Sequence, residues 1–315
     1  MKLHDGLPEI LKAAIFGHEY KKTPGRYSVT ELVNPPLISA LKRVHTGIKI
    51  DPEDRIFAFM GSGVHLAIEE AFNEFGANLD GHRIIELEGF VKCDLDGYEI
   101  VGRYDCIEET PDGEIRLWDW KTAKAGMYRI LRRQGDKPEW KKQLQIYAAI
   151  LTEFYGRVID RIAVGVLFKD YSKMQRERVR DYPPSGAIWL EWEFSSDEVP
   201  EILDWVVSRI GEIEMNIHAL ENGNVPPVIC SPDERYEEPA FAVMREGRKT
   251  AIRRFHNQGQ AEEEMYRLGK GHYVEQRPIM WNRCRHYCDV ADVCPVYQEA
   301  MKATLDKPVR VAEYG

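Results

Sequence analysis

Glu114-Ile115-Arg116-Leu117-Trp118-Asp119-Trp120-Lys121-Thr122 decides how this chain is read. Pro111-Asp112-Gly113 turns the chain just before it, and the stretch is rich in residues that suit a pleated, half-buried surface. A strand has a period of two, so Ile115, Leu117, Asp119 and Lys121 share one face, with Trp118 and Trp120 on the other. A carboxylate and an ammonium side by side suit a site that holds a divalent cation and handles the water it activates. Asp-x-Lys alone is a weak signal, since about one copy is expected by chance in a chain this long. Its surroundings give it weight.

Upstream, Arg83 to Leu95 reads as a strand ending at the hairpin signal Asp96-Gly97, and Tyr98 to Glu108, carrying Asp105, reads as its partner. Downstream comes a basic loop, then a helix from Trp140 to Phe154 in which Gln143 and Tyr147, four apart, share a face. Strands at Arg161 to Lys169 and Ile188 to Phe194 follow, then a long helix from Asp197 to Leu220. On the N-terminal side, Ile56 to Phe75 has Phe57, Met60, Val64, Ala67, Ile68 and Phe72 near helical spacing. Ser28 to Leu32 opens as a helix capped by Ser28 or Thr30, and Asn34-Pro35-Pro36 ends it before an amphipathic stretch containing Leu41. The order predicts an α/β or α+β fold with a mixed central sheet flanked by helices. We divide the chain into an N-terminal extension (1–27), a core (28–227), a loop-rich, cysteine-bearing segment (228–296) and a tail (297–315) with a short helix.

The 315 residues are 43% hydrophobic and 30% charged with both signs mixed, which excludes a disordered chain. No apolar run approaches about 18 residues and the first residues contain no signal-peptide core, so a soluble, cytoplasmic protein of a bacterium or phage-infected cell is expected, without a membrane partner. The net charge of −9 argues against a nucleic-acid partner until its distribution is considered. From Lys121 to Lys142 there are eight basic residues against Asp136 and Glu139. That local excess follows directly on the Asp-x-Lys strand and suits phosphate contact; Tyr128 and Trp140 within it are aromatics able to stack on bases, or simply to pack.

Cys93 and Cys106 fall in strands and read as small buried hydrophobes. Cys230, Cys284, Cys288 and Cys294 cluster in the last third of the sequence, where an intracellular chain more readily uses cysteines for metal than for disulfides. Four thiolates suit tetrahedral Zn²⁺ or a [4Fe–4S] cube, and one distant cysteine plus a tight trio fits a cluster tying remote segments better than paired Cys-x-x-Cys zinc motifs. A segment of this length has little core of its own, which a metal staple offsets.

Hydrolysis of a phosphodiester needs a nucleophilic water, neutralisation of charge in the transition state and help for the leaving oxygen; Mg²⁺ or Mn²⁺ held by carboxylates provides much of this. Asp105 and Asp119, on adjacent strands, can converge on one ion. Lys121 can orient or deprotonate the attacking water or stabilise developing charge. His65, in Met60-Gly61-Ser62-Gly63-Val64-His65, reads equally as a core histidine or as a ligand; the two glycines allow another backbone close, and an imidazole ligand would make the site friendlier to Mn²⁺. Glu88 offers a further acid that no motif fixes.

The ordered set His65, Asp105, Asp119-Trp120-Lys121 and Gln143-Leu-Gln-Ile-Tyr147 resembles the PD-(D/E)XK nuclease superfamily, specifically its RecB-like branch, over roughly residues 28–296. The Cys284-x₃-Cys288-x₅-Cys294 run with Cys230 upstream is similar to the iron–sulfur closure seen in AddB-type and CRISPR-adaptation nucleases, and Cys230 to Tyr236 with Phe241 to Lys249 looks closest to stand-alone phage-type exonucleases. The resemblance implies a restriction-endonuclease-like core, metal ligation by His65, Asp105, Asp119 and the Trp120 carbonyl, catalysis by Lys121 with Gln143 and Tyr147 in support, and a [4Fe–4S] cluster on the four cysteines. The chain departs from its relatives in Cys-x₃-Cys for Cys-x-x-Cys and in having no cysteine before Cys93. The expected activity is a metal-dependent exonuclease on single-stranded DNA or DNA ends, with a phage recombination or single-strand-binding protein as a partner. The alternatives are CRISPR-type end trimming, a non-catalytic iron–sulfur nucleic-acid-binding protein, or a redox sensor.

Overall fold

The computed structural model describes residues 6–16, 22–48, 50–75, 78–303 and 307–314. The chain divides into two compact units, Met1–Asn34 with Ile50–Glu212 and Pro35–Lys49 with Ile213–Gly315. No described helix is long and apolar enough to cross a membrane.

The first unit opens with α1 (Glu9–Phe16), β1 (Arg26–Ser28) and α2 (Val29–Leu32), and continues, beyond a helix of the second unit, α3 (Pro36–Val44), with α4 (Pro52–Phe75), β2 (Asn78–Leu79), β3 (His82–Leu95), β4 (Tyr98–Glu109) and β5 (Ile115–Ala123). Ser28 caps α2 through its side chain, accepting from the Glu31 N–H. The hairpin at Asp96-Gly97 forms as its sequence predicts, with both residues at positive φ. Next come α5 (Met127–Gln134), α6 (Pro138–Tyr155), β6 (Arg161–Phe168), α7 (Lys173–Arg178), β7 (Ala187–Glu193) and α8 (Val199–Glu221), of which the residues after Glu212 belong to the second unit. Pro138 starts α6, and Gly156 ends it in the left-handed conformation at φ 63°, the usual stop for a helix.

Six strands follow one another in the sheet as β2-β3-β4-β5-β6-β7, with β1 added against β4. β5 and β6 run parallel and are joined by the α6 crossover, while β3 and β7 pair antiparallel with their neighbours, and β4 pairs antiparallel with β3 and β5 but parallel with β1. Being parallel to β5, β6 is buried along most of its length and reads as a continuous apolar run. The mixed sheet flanked by helices agrees with the expected class.

One edge of β4 is shared. Glu99–Val101 pair with β1 and Cys106–Glu109 pair with β5, so the ladder on that edge skips Gly102 to Asp105. Tyr147 on α6 packs over the sheet face here: a Cβ on Gly102 would lie 2.6 Å from its ring, so only glycine admits it. A buried tyrosine thereby fastens α6 to the sheet.

The second unit holds α3 (Pro36–Val44), β8 (Phe241–Arg245), β9 (Arg253–Phe255), α9 (Gln258–Leu268), β10 (His272–Gln276), α10 (Asn282–His286), α11 (Pro295–Ala303) and β11 (Val309–Glu313). Four strands form a sheet in the order β11-β10-β8-β9, and α9 packs Ala261 and Met265 on Val243 and Val274. A second cluster joins Leu37, Ile38 and Leu41 of α3 to Val290 and Cys294.

Several sequence expectations need correction. The basic loop after β5 contains α5, an amphipathic helix that buries Leu131 and ends in Arg132 and Arg133, where cations complement the helix dipole. The loop-rich reading of 228–296 missed the second sheet, whose strands are too short for two-residue periodicity to stand out. The tail adds β11 after its helix. At the end of the extension a sheet strand, Arg26–Ser28, begins that the sequence reading did not place; residues 1–5 and 17–21 of the extension lie outside the described residues. The apolar spacing of α4 correctly predicted a helix, yet Phe57 and Met60 stand 46% and 48% exposed.

Candidate active site

The interruption of the β4–β5 ladder opens the site. Cys106 pairs with Trp118, and the next facing positions are Asp105 and Asp119. Asp105 extends one oxygen to accept the Trp120 N–H at 2.5 Å, a bond of side chain to backbone where the regular ladder has ended. Its other oxygen lies 3.3 Å from His65 Nδ1 on α4. The strongest influence on the imidazole is this hydrogen bond, which raises the histidine pKa against the cost of burial.

Asp119 is only 4% exposed. Its Oδ1 accepts from Lys121 Nζ at 3.0 Å, and its Oδ2, 2.7 Å from the same ammonium, has no hydrogen bond of good geometry. Burial raises the Asp119 pKa from 3.8 to about 6; the Lys121 charge opposes that shift and the Asp105 charge adds to it. Lys121 also donates to Gln143 Oε1 at 3.0 Å, so the first turns of α6 hold the ammonium from above. Tyr147 lies one turn further on, beneath Gln143; burial pushes its phenol pKa up, with Gln143 and Thr30 as polar partners. Asp105, Asp119, Lys121, His65 and Gln143 are thus brought together, and Tyr147 supports them from the helix. Trp120 contributes its N–H to Asp105, while its ring stacks on Trp118 at 5.0 Å, against Gly165, where a Cβ would come within 2.5 Å of the indole.

Glu88 is the residue that sequence reasoning left aside. His65, Glu88 and Asp105 each offer a ligand atom within 4.8 Å of the others. Glu88 stands in β3 at φ 49°, a left-handed conformation that costs a non-glycine residue about 1–2 kcal/mol. Arg103 binds its carbonyl at 2.7 Å, which helps to hold the distortion. Burial first, then the Asp105 charge, raises its carboxyl pKa. The only signal in the sequence was the acid itself beside Gly89, too common a pairing to read.

Three carboxylates and an imidazole crowd together, two of the acids with raised pKa values, an arrangement able to hold a cation. A profile of the PD-(D/E)XK nuclease superfamily matches residues 40–295. This chain belongs to that superfamily. Among solved structures it is similar to the crystal structure of SSO0001, at 18% identity and a TM-score of 0.43, over 64% of this chain and 84% of that one. It is similar also to the alkaline exonuclease LHK-Exo from Laribacter hongkongensis, at 15% identity and a TM-score of 0.38, over 69% of this chain and 97% of that one. For LHK-Exo in complex with dAMP the identity is 14%, with the same TM-score of 0.38 and the same coverage of 69% and 97%. Comparison with curated proteins found no match.

Members of the superfamily use divalent metals, and the donors present here fit one. His65, Glu88 and Asp105 are close enough to share an ion, and the Asp119 Oδ2 is a buried acceptor without a hydrogen bond. Oxygen donors with one imidazole suit Mg²⁺ or Mn²⁺. The glycines before His65 differ: a Cβ on Gly61 would sit 3.3 Å from Thr122 Oγ1, whereas one on Gly63 meets nothing within 4 Å. Gly61 alone lets α4 approach β5 closely.

In the second unit, Cys230, Cys284, Cys288 and Cys294 line one cavity with Leu37, Ile38, Leu41, Arg235 and Arg283. None forms a disulfide. Burial raises the thiol pKa to about 12 at Cys230 and about 11 at Cys284, the latter opposed by the Arg235 and Arg283 charges. The donor set and two flanking guanidinium groups fit a thiolate-ligated centre. Cys93 and Cys106 are buried within the first unit, as small hydrophobes would be.

Proposed function

We propose that this nuclease is a metal-dependent DNA exonuclease acting on single strands or DNA ends. One observation carries the reading: the gap in the β4–β5 ladder gathers His65, Glu88, Asp105 and Asp119 beside Lys121. His65, Glu88, Asp105, Asp119 and the Trp120 carbonyl would hold Mg²⁺ or Mn²⁺, which lowers the pKa of water and offsets charge on the phosphate. Lys121 is the residue of this chain that handles the proton. Fixed between Asp119 and Gln143, it orients the attacking water, accepts its proton when neutral, or stabilises developing negative charge. Gln143 positions Lys121, and Tyr147 seats the helix that carries Gln143. Asp105 couples the imidazole to the β5 backbone, so that His65 and Asp119 keep a common geometry.

The four cysteines support a second, structural centre, a [4Fe–4S] cluster in preference to Zn²⁺, that binds α3 to the C-terminal segment. The basic run from Lys121 to Lys142 supports DNA as the polyanion. End trimming in CRISPR adaptation uses the same chemistry and is separated by the ends that survive digestion.

The test is digestion of end-labelled single- and double-stranded DNA by purified protein with Mg²⁺ or Mn²⁺, beside Asp119→Ala and Lys121→Ala. Cleavage by the parent that both substitutions abolish is expected. Cleavage that survives both removes the site assignment.

A further inference from the structure

Phe57, Gly61 and His65 lie four residues apart along α4 and so form one row on the side that meets β5. His65 reaches Asp105, Gly61 sits against Thr122, and Phe57 lies under Lys124, so the row runs from the catalytic acids to the C-terminal end of β5. β6 runs parallel to β5 and ends beside it, which places Lys169 at the same rim; its N–H donates to the Ala123 carbonyl at 3.0 Å. The ammonium groups of Lys169 and Lys124 stand 4.1 Å and 5.5 Å from the centre of the Phe57 ring. The ring is 46% exposed.

Two like charges over one exposed phenyl ring are costly without an anion. Among the described residues neither ammonium is in an ion pair. Asp170, the acid whose charge Lys169 feels, turns one oxygen to the Ala125 N–H at 2.6 Å. Burial and the Lys124 charge hold the Lys169 pKa below the usual lysine value, against the weaker pull of Asp170. The ligand that answers this arrangement carries both a π-face and phosphates. Eight residues of helix separate Phe57 from His65, about 12 Å along the axis, so such a ligand would extend away from the reacting phosphate as a chain.

Resting on the nuclease reading above, we propose that Phe57, Lys124 and Lys169 form a subsite for a single strand entering or leaving the cleavage centre: a base stacks on Phe57 and the two lysines hold flanking phosphates. A base paired in a duplex presents no free face to the ring, so the subsite favours single strands. It assigns a purpose to an aromatic whose spacing predicted only a helix.

Fluorescence anisotropy with a labelled oligothymidylate and a blunt duplex, in EDTA so that nothing is cut, tests this, with melting curves to verify folding. Phe57→Ala is expected to weaken oligothymidylate binding about 5- to 100-fold and duplex binding less, while Phe57→Trp retains it. Lys124→Gln with Lys169→Gln is expected to lower the salt slope of binding by about 1.4, for two phosphate contacts on a single strand. A parent protein that, with Mg²⁺ or Mn²⁺ supplied, cuts neither oligothymidylate nor the duplex refutes the nuclease reading, and the subsite with it; one that cuts the duplex without binding oligothymidylate refutes the subsite alone. A parent that binds and cuts while folded Phe57→Ala and lysine variants match its affinity and salt slope refutes the subsite alone.

Discussion

Asp105 accepts the Trp120 N–H at 2.5 Å, across the point where the β4–β5 ladder stops. One carboxylate thus replaces a ladder bond with one oxygen and faces His65 with the other. Sheet architecture and the proposed cation site meet in that side chain. Replacing it with an isostere separates them. In Asp105→Asn the amide oxygen still accepts from Trp120, so the fold should persist, and the metal-free protein should melt no lower because one of three crowded negative charges is gone. Cleavage and the rise in melting temperature on adding Mn²⁺ should both be lost, which differential scanning fluorimetry and a digest would read.

Lys121 is held by Asp119 and Gln143. Lys121→Ala should reduce cleavage about 100- to 10,000-fold, the range expected for a positioned proton-transfer group. Gln143→Ala, which removes only the hydrogen bond that positions the ammonium, should cost less and leave metal binding intact. Single-turnover digestion at saturating metal compares the two; an inert Gln143→Ala at wild-type rate would show that α6 does not position the lysine.

The pH dependence of stability should change sign with metal. Asp119 has its pKa raised from 3.8 to about 6 by burial, and Glu88 is raised by the same cause. For an acid whose folded pKa is raised, the associated stability is present below the unfolded value and is lost as pH rises through the folded one. Metal-free protein should therefore lose stability from about pH 4 to pH 6 through these groups, and a bound cation should restore it. The stabilisation by Mg²⁺ or Mn²⁺ should accordingly be larger at pH 8 than at pH 5, as melting curves at the two values would show; equal shifts would contradict a cation held by these carboxylates.

Glu88 holds a left-handed backbone while presenting its carboxyl to His65 and Asp105. Glu88→Gly should raise metal-free stability by about 1 kcal/mol, since glycine adopts this conformation freely, and should weaken metal binding. Calorimetric titration with Mn²⁺ beside chemical denaturation measures both. A destabilised Glu88→Gly with unchanged metal affinity would make the distortion a packing feature only.

The cysteine cavity should colour the protein. Anaerobically purified protein is expected to be brown, with broad absorbance near about 400 nm and about four irons per chain. Cys288→Ser should bleach it and lower the melting temperature of the C-terminal unit. Colourless protein with one zinc per chain would instead identify a tetrahedral site.

The strand alternation that puts Asp119 and Lys121 on one face was legible because the period of two is built into the backbone, and both remain together in the fold. The helix pairing of Gln143 with Tyr147 was legible for the same reason, as was the gathering of the C-terminal cysteines, whose spacing is unusual enough to read. Glu88 was not legible, because its part depends on a left-handed turn of β3 opposite Asp105, a relation between strands. Nor was the exposure of Phe57: helical spacing says which residues share a side, not whether anything covers that side. The second sheet escaped because strands of three to five residues hold too few alternations to separate from loop.

Local periodicity and residue chemistry, then, determined from the sequence alone which elements form around the Asp-x-Lys strand and which polar groups share a face on them. Only the tertiary structure decided that β4 divides one edge between β1 and β5 and leaves a gap between them. Ladder pairing between distant strands is a non-local choice, made by the packing of the whole sheet, and that gap is where the acids meet.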